Sequence, residues 1–500
     1  MVEQNGHLQA TAADVVASIG ERWVDGRGPL YEKLARALQE AVDHGHLPSG
    51  AYLPSERVLA RSLFVSRSTV VSAYGLLRRN GALGSRRGSG TWVCGRSAGR
   101  FGDEETLGIL ARDPYLSGVI DESPAPIDFT LPAPRAALDE IRGAGLLDRV
   151  GTGLLADAAP LGYEPRGLRS LRRALIRLLE SRGLPTSEDE ILITNGGQQA
   201  ISLLLGLFVR PGDEIVVENP SYRGLIDAVL FSRARVLPVG IEDTALPARL
   251  RALASEHAPQ LVYLTTTCHN PTGSNVDAEV RREVARIAVE FGVPLVEDMV
   301  LADLSLELPP PPVATFARRS APIIVVGSLS KVIWGGLRIG WIRAPAPIAS
   351  RLARLKAVAD MGTSAVSQLV ALELLPALED GILDAQRREV RSSLELAEEL
   401  LGMHTPNWRW TQPKGGRSLW IRLPHGDGQD FARLALSHGV ALSAGTTLSF
   451  DGSFEPYIRV QFVQPPGLLR EGVLRLGMAW EAYSAEMVGG AGSDAVLRKS

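Results

Sequence analysis

The chain has 500 residues, 45% of them hydrophobic and 22% charged, with a net charge of −3, a length that suits two to four domains of roughly 100–200 residues each. No apolar run reaches the ~18 residues of a membrane span, the N-terminus lacks the basic and apolar regions of a secretory signal, and Cys94 and Cys268 provide neither a disulfide framework nor metal-ligand spacing; the expectation is a cytoplasmic protein without membrane contact or metal. Charge is uneven: residues 21–100 hold 13 Arg+Lys against 6 Asp+Glu, a local +7 that leaves −10 for the rest, and a basic end on an acidic body suggests that one module meets a polyanion.

In chain order, residues 1–25 are read as an N-terminal tail. "GPLYEKLARALQEAVDHGHLPSG" sets Leu30, Leu34, Leu38 and Val42 four apart on one face of an amphipathic helix, which stops at the Gly/Pro cluster of residues 45–50. In "LPSERVLARSLFVSRSTVVSAYGLLRRNGAL", Ser55 after Pro54 is a natural N-cap, and Val58, Leu59 and Leu63 form a short apolar face. Phe64 and Val65 turn the chain, and Ser66 caps a second helix with Val70, Tyr74 and Leu77 on its inner side. Two short helices about a tight turn, with Arg67, Ser68 and Thr69 opening the second, make a helix-turn-helix in which that end meets base edges. "GALGSRRGSGTWV" then reads as a hairpin with a basic, glycine-rich tip suited to a phosphate backbone.

From Pro29 to Val93 these segments, with "LPSER", "VSRSTV", "AYGLLRRNG" and "GSGTWV" as its marks, resemble the GntR-type winged helix. The resemblance implies an α+β winged helix-turn-helix domain over residues 26–94 that binds a double-stranded DNA operator. Arg57, Ser66, Arg67, Ser68 and Thr69 would lie at the DNA, with Arg87 and Gly90 of the wing near phosphate or minor groove. Residues 95–125, rich in Gly, Ser, Asp and Pro, read as a linker.

Beyond the linker, short β-rich runs such as "ILIT", "EIVVE", "LVYL", "PLVED" and "PIIVVGSLS" alternate with helical stretches. That alternation argues for an α/β domain over residues 126–490 with a mainly parallel sheet, whose ligands gather beyond the carboxyl ends of the strands. The strand ends carry Asn195-Gly196-Gly197-Gln198 opening a helix, "NPSY" with Tyr222, "CHNPTG" with Asn270, Asp298, and "GSLSK" with Ser328, Ser330 and Lys331, then Arg338. Glycines at a helix N-terminus leave N–H groups free for a phosphate. Each signal has a plain structural reading alone: a turn, a packed aromatic, an N-cap. Lys331 stands out because lysine occurs only at positions 33, 331, 356, 414 and 499, leaving 48 arginines among 53 basic residues.

In this order the five signals resemble the fold-type I pyridoxal-phosphate enzymes, in the class I/II aminotransferase subgroup, over residues 127–485. The resemblance implies a large domain over about 160–350, a smaller C-terminal α+β subdomain over about 351–490, and bound pyridoxal 5′-phosphate. Lys331 would form the Schiff base of an internal aldimine, which a guanidinium is too delocalised and too basic to do. Asp298 would pair with the pyridine nitrogen. Arg338 and Ser328 would join Gly196 and Gly197 around the 5′-phosphate, and Gln198 and Ser330 would also bind the cofactor. Tyr222 would stack on the ring, Asn270 would bond its 3′ oxygen, and Arg459 in "YIRVQF" would grip a substrate or effector carboxylate. Tyr163 would reach the phosphate of the neighbouring subunit. The family's usual Tyr two or three residues after the Asp is here Val300 or Leu301, which puts turnover in doubt and leaves the cofactor.

Winged helix and body together resemble the MocR/GabR family of transcription regulators, which implies a head-to-tail homodimer sensing pyridoxal phosphate or an amino-acid or amine effector. The alternatives are an active aminotransferase with an accessory DNA-binding module, and a scaffold with both sites degenerate.

Overall fold

A computed structural model describes residues 2–4, 7–24, 29–43, 46–47, 51–79, 83–86, 90–93, 127–131, 145–157, 162–241 and 244–496. It divides into two compact units, residues 1–113 and 114–500. The expected linker 95–125 and the wing residue Arg87 lie outside the described residues.

In the first unit, strands β1 (Val2–Gln4), β2 (His7–Gln9), β3 (Tyr52–Leu53), β4 (Leu83–Arg86) and β5 (Gly90–Val93) form one sheet in the order β1-β2-β3-β5-β4. Helices α1 (Ala12–Ile19), α2 (Leu30–Asp43), α3 (Glu56–Ser62) and α4 (Arg67–Arg79) share a core containing Val15, Leu34, Leu38, Leu59, Val70, Tyr74 and Leu77. Leu30, expected inward, is 40% exposed; it is the first residue of α2, one turn short of the packed face.

Of the segment read as a tail, the described residues 7–24 pack into the first unit. Thr11 Oγ1 accepts from Asp14 N at 3.2 Å while Asp14 Oδ2 accepts from Thr11 N at 2.9 Å, a capping box that starts α1. Val15 is then buried, and Ala10 N donates to Tyr52 O at 2.9 Å. This segment closes a side of the core that a small domain cannot leave wet. Thr11→Ala should lower the stability of the N-terminal unit by about 1 kcal/mol, readable as a shift of its transition in calorimetry of the full chain.

The second unit is built on β7 (Ile191–Thr194), β8 (Glu214–Glu218), β9 (Arg235–Val239), β10 (Leu261–Leu264), β11 (Leu295–Asp298), β12 (Ile323–Ser328) and β13 (Gly340–Arg343), with β6 (Ile127–Asp128) lying outside that sheet. The sheet runs β7-β13-β12-β11-β10-β8-β9, parallel except for β13, which is antiparallel to both neighbours. Side chains alternate between two cores: Val216, Val262, Leu295 and Ile323 face one layer, and Val217, Tyr263, Val296 and Ile324 the other. Burial on both faces is why these strands read as continuous apolar runs.

A smaller antiparallel sheet joins β14 (Arg409–Trp410), β15 (Ser418–Arg422), β17 (Ser443–Ala444) and β18 (Tyr457–Gln461), in the order β14-β15-β18-β17. The expected subdomain boundaries shift in two places. The helix Ala346–Asp360 packs under the large sheet through Ala349, Leu352 and Ala353, so residue 351 is no boundary. Residues 127–131 cross to the small subdomain, where β6 pairs in parallel with β16 (Val440–Ala441) and Gln461 N donates to Phe129 O at 3.0 Å.

Candidate functional site

The carboxyl ends of the large sheet and one edge of the small one bound a single cavity. β7 ends at Thr194, and the helix Gly196–Phe208 begins after a turn at Gly196 with φ +75°. A Cβ at Gly196 would lie 3.0 Å from Arg338 Nη2, and one at Gly340 only 2.6 Å from the Gly196 carbonyl carbon; only glycine lets the backbone come this close. Arg338, itself left-handed at φ +55°, donates from Nη2 to Asn195 O at 2.7 Å. Behind the turn, Asp360 Oδ2 accepts from Asn195 Nδ2, Gln199 Nε2 and the buried Lys356 Nζ, at 2.8, 2.6 and 2.6 Å. A second scarce lysine therefore braces the glycine turn.

At the end of β12, Ser328 Oγ accepts from Ser330 N at 3.1 Å, and Lys331 follows. Lys331 is half-buried and lines the cavity. Burial pushes its amine down to about 8, assisted by the charges of Arg417, Arg459 and Arg338 and opposed by Asp298. Asp298, at the end of β11, is buried, and that burial raises its carboxyl against hydrogen bonds from Tyr263 and Val300 and the Lys331 charge. Its Oδ2 accepts from Tyr263 Oη at 2.6 Å and its Oδ1 from Val300 N at 2.8 Å. Val300 lies against Gly197, whose added Cβ would sit 3.1 Å from Val300 Cγ2.

On the far wall, Arg459 of β18 is 2% exposed and donates to Asn270 Oδ1 at 3.2 Å, Thr130 O at 3.0 Å and Ser443 Oγ at 3.1 Å. Three elements distant in sequence thus fix one guanidinium.

Gly197, Gln198, Tyr222, Asn270, Asp298, Ser328, Ser330, Lys331, Arg338 and Arg459 all meet at this cavity, with Gly196 directly beneath Arg338. Tyr163 is not among its walls and is 59% exposed. The arrangement fits a phosphorylated pyridine aldehyde: a glycine turn that a Cβ would obstruct, a buried Ser330 Oγ with no partner among the described residues, a buried carboxylate and a depressed amine. Tyr263 and Thr130 hold Asp298 and Arg459 in place, and Arg417 also lines the cavity; none of the three was singled out from sequence. A tyrosine inside the buried run "LVYL" was the available signal, because a buried phenol needs a partner. Arg417 in "GGRSLW" and Thr130 in "IDFTLP" offered none.

In the first unit, Ser66 Oγ accepts from Thr69 N at 3.1 Å and contacts Ser68 Oγ and Thr69 Oγ1 at 2.8 and 2.7 Å. Ser55 stands at the N-cap of α3 without a side-chain capping bond. Arg57, Ser66, Arg67 and Ser68 are exposed and Thr69 is half-buried. Phe64, in the turn between α3 and α4, has φ +55° and is 97% exposed. Gly90 opens β5 and pairs with Arg86.

Residues 155–476 match the family model for aminotransferase class I and II, and residues 30–93 the model for bacterial regulatory proteins of the gntR family. The uncharacterized HTH-type transcriptional regulator YdfD of Bacillus subtilis is 29% identical, over 90% of this chain and 96% of its own. The probable rhizopine catabolism regulatory protein MocR of Rhizobium meliloti is 28% identical, over 66% of this chain and 68% of its own. Among solved structures, the α-aminoadipate aminotransferase LysN of Thermus thermophilus, complexed with N-(5′-phosphopyridoxyl)-L-leucine, superposes with a TM-score of 0.68 at 28% identity, covering 77% of this chain and 98% of that one.

Proposed function

Because this chain belongs to the class I and II aminotransferase family and carries a gntR-type head, we propose that it is a DNA-binding transcriptional regulator whose body holds pyridoxal phosphate and senses that cofactor or an amino-acid or amine effector. The observation that carries this is the coexistence, in one chain, of the exposed Arg67-Ser68 end of α4 with the Lys331–Asp298 cavity. This chain joins a gntR-type reader to an aminotransferase-like body, and two relatives that it matches over 90% and 66% of its length, YdfD and MocR, bear the names of an uncharacterized transcriptional regulator and a probable regulatory protein.

When bound, the cofactor supplies an aldehyde that condenses with an amine and a ring that withdraws electrons. The residues here do the rest. Lys331 Nζ presents a partly deprotonated amine. Asp298, held by Tyr263 and Val300 N, would pair with the ring nitrogen and keep a proton there. Gly196, Gly197, Gln198, Ser328, Ser330 and Arg338 would take the phosphate, where helix N–H groups and a guanidinium favour a dianion. Tyr222 would cover the ring, Asn270 would hold the 3′ oxygen, and Arg459 would take the effector carboxylate. Tyr163, exposed and outside this cavity, would serve the site of a second copy in a head-to-tail dimer. An effector taking the place of Lys331 would act on DNA binding only through its differential affinity for two conformations. Among the described residues no helix is long and apolar enough to cross a membrane.

The test is a footprint on the intergenic DNA beside its own gene. Binding should weaken steeply with salt, and Arg67→Ala should cost ~1–3 kcal/mol, roughly 5–150-fold in affinity. Absence of a footprint, with and without pyridoxal phosphate, overturns the proposal. A second reading, a working aminotransferase, is favoured by the completeness of the cavity and opposed by Val300, which offers no hydroxyl where the family places a tyrosine. Turnover of amino donor and 2-oxo acid above ~1 per second would decide for it.

A further inference from the structure

Arg417 is a charged group that the functions assigned above leave unused. It is 4% exposed and lines the same cavity as Lys331 and Arg459. Its backbone is pinned at the start of β15, where its carbonyl accepts from Phe462 N at 3.0 Å. Its Nη2 donates to the Lys331 carbonyl oxygen and to Gln386 Oε1, the latter at 3.0 Å, and both acceptors are neutral. Its Nε is buried with no hydrogen-bond partner among the described residues. The carboxylate whose charge reaches it is Glu389, on the helix Leu383–His404, and burial still outweighs that charge and pushes the guanidinium down to about 10.

Charge matching then identifies what is missing. The cavity presents Lys331, Arg338, Arg417 and Arg459 against Asp298. Bound pyridoxal phosphate would engage Lys331, Asp298 and Arg338, and the α-carboxylate of an amino acid would engage Arg459. One buried guanidinium remains, hydrogen-bonded only to neutral oxygens and with the Glu389 charge offsetting only part of its burial, and a buried cation in that state is costly until an anion bonds it directly. A uniformly apolar side chain would leave that cost in place, whereas a carboxylate would accept a charge-assisted bond from a donor already fixed in position.

We infer that the effector is an amino acid with a second acidic group, its side-chain carboxylate held by Arg417 while Arg459 holds the α-carboxylate. This rests on the sensor function proposed above and adds the class of ligand. Discrimination arises because a site built around a buried charge rejects the neutral analogue that leaves the charge unpaired.

The test uses the full chain loaded with pyridoxal phosphate, titrated with L-glutamate and L-2-aminoadipate against L-glutamine and L-norleucine. The visible spectrum and the operator affinity are both followed. The acidic pair should bind at least ~10-fold more tightly than the neutral pair. Arg417→Gln should remove that preference, weakening the acidic pair ~10-fold or more and the neutral pair less than ~3-fold, and Arg417→Lys should restore part of it. Uptake of pyridoxal phosphate by each variant, read from its visible band, reports that the fold persists; the preference of the unaltered chain tests the inference without any variant. Equal affinities for acidic and neutral amino acids overturn the inference and leave the sensor standing. Equal weakening of both pairs by Arg417→Gln also overturns it, assigning Arg417 to support of the Lys331 backbone. If none of the four probes alters the spectrum or the operator affinity, the amino-acid sensor and this inference fall together.

Discussion

Lys331→Ala should lose all pyridoxal phosphate that borohydride can fix to the chain, and operator affinity should stop responding to the cofactor. An alanine offers no amine, and no other lysine is among the walls of the cavity. The same residue sets the pH dependence of uptake. A group with its amine near 8 is ~10% uncharged at pH 7, against ~0.03% for an ordinary lysine at 10.5. Only the uncharged amine attacks an aldehyde. Uptake should therefore accelerate about tenfold per pH unit below 8 and level off above it. Stopped-flow absorbance on the unaltered chain measures this; a profile that keeps rising to pH 10 would mean the cavity leaves the amine at its ordinary value.

The second large effect is expected at Asp298, where two substitutions separate charge from shape. Asp298→Ala removes the acceptor of Tyr263 Oη, a phenol buried from water. Leaving that donor unmet costs about 1–3 kcal/mol of stability, before any loss of cofactor. Asp298→Asn keeps an acceptor for Tyr263 but removes the negative charge. Stability should hold within ~1 kcal/mol while pyridoxal phosphate binding weakens by ~2–3 kcal/mol, roughly 30–150-fold. Because Asp298 opposes the shift of Lys331, the Asn variant should also move the amine further below 8, displacing the uptake profile toward lower pH. Thermal melts and spectrophotometric titration at several pH values check both. A variant that binds the cofactor unchanged would remove Asp298 from the site.

The strands legible in the sequence are those whose burial leaves a local mark. "ILIT", "LVYL", "PLVED" and "PIIVVGS" are apolar up to their last one or two residues because both faces of the sheet are covered, and they form β7, β10, β11 and β12. β9 and β13 carried no such mark. "RVLPV" is an edge strand with a proline, and "GWIR" runs antiparallel between parallel neighbours, so their places depend on distant partners. The N-terminal residues were misread for a related reason. The "TAAD" box is short, and what makes α1 part of the domain is the burial of Val15 among residues from other elements.

The sequence by itself determined the order of chemical groups: a glycine turn, Asn270, Asp298, Lys331, Arg338 and Arg459, with a helix-turn-helix before them. Each has its residue type because local chemistry demands it: an amine for carbonyl condensation, glycine for close backbone approach, a hydroxyl to cap α4. The tertiary structure alone decided what lies between those groups. It brought Tyr263 under Asp298, Lys356 behind the glycine turn, Thr130 across from the small subdomain and Arg417 against the Lys331 backbone. None of these contacts leaves a local pattern, because they join residues 35 to 329 positions apart, Lys356 reaching the turn through Gln199, 157 positions away. Their effect is also not local: a lysine amine takes its value from the burial and the four charges that the fold assembles around it.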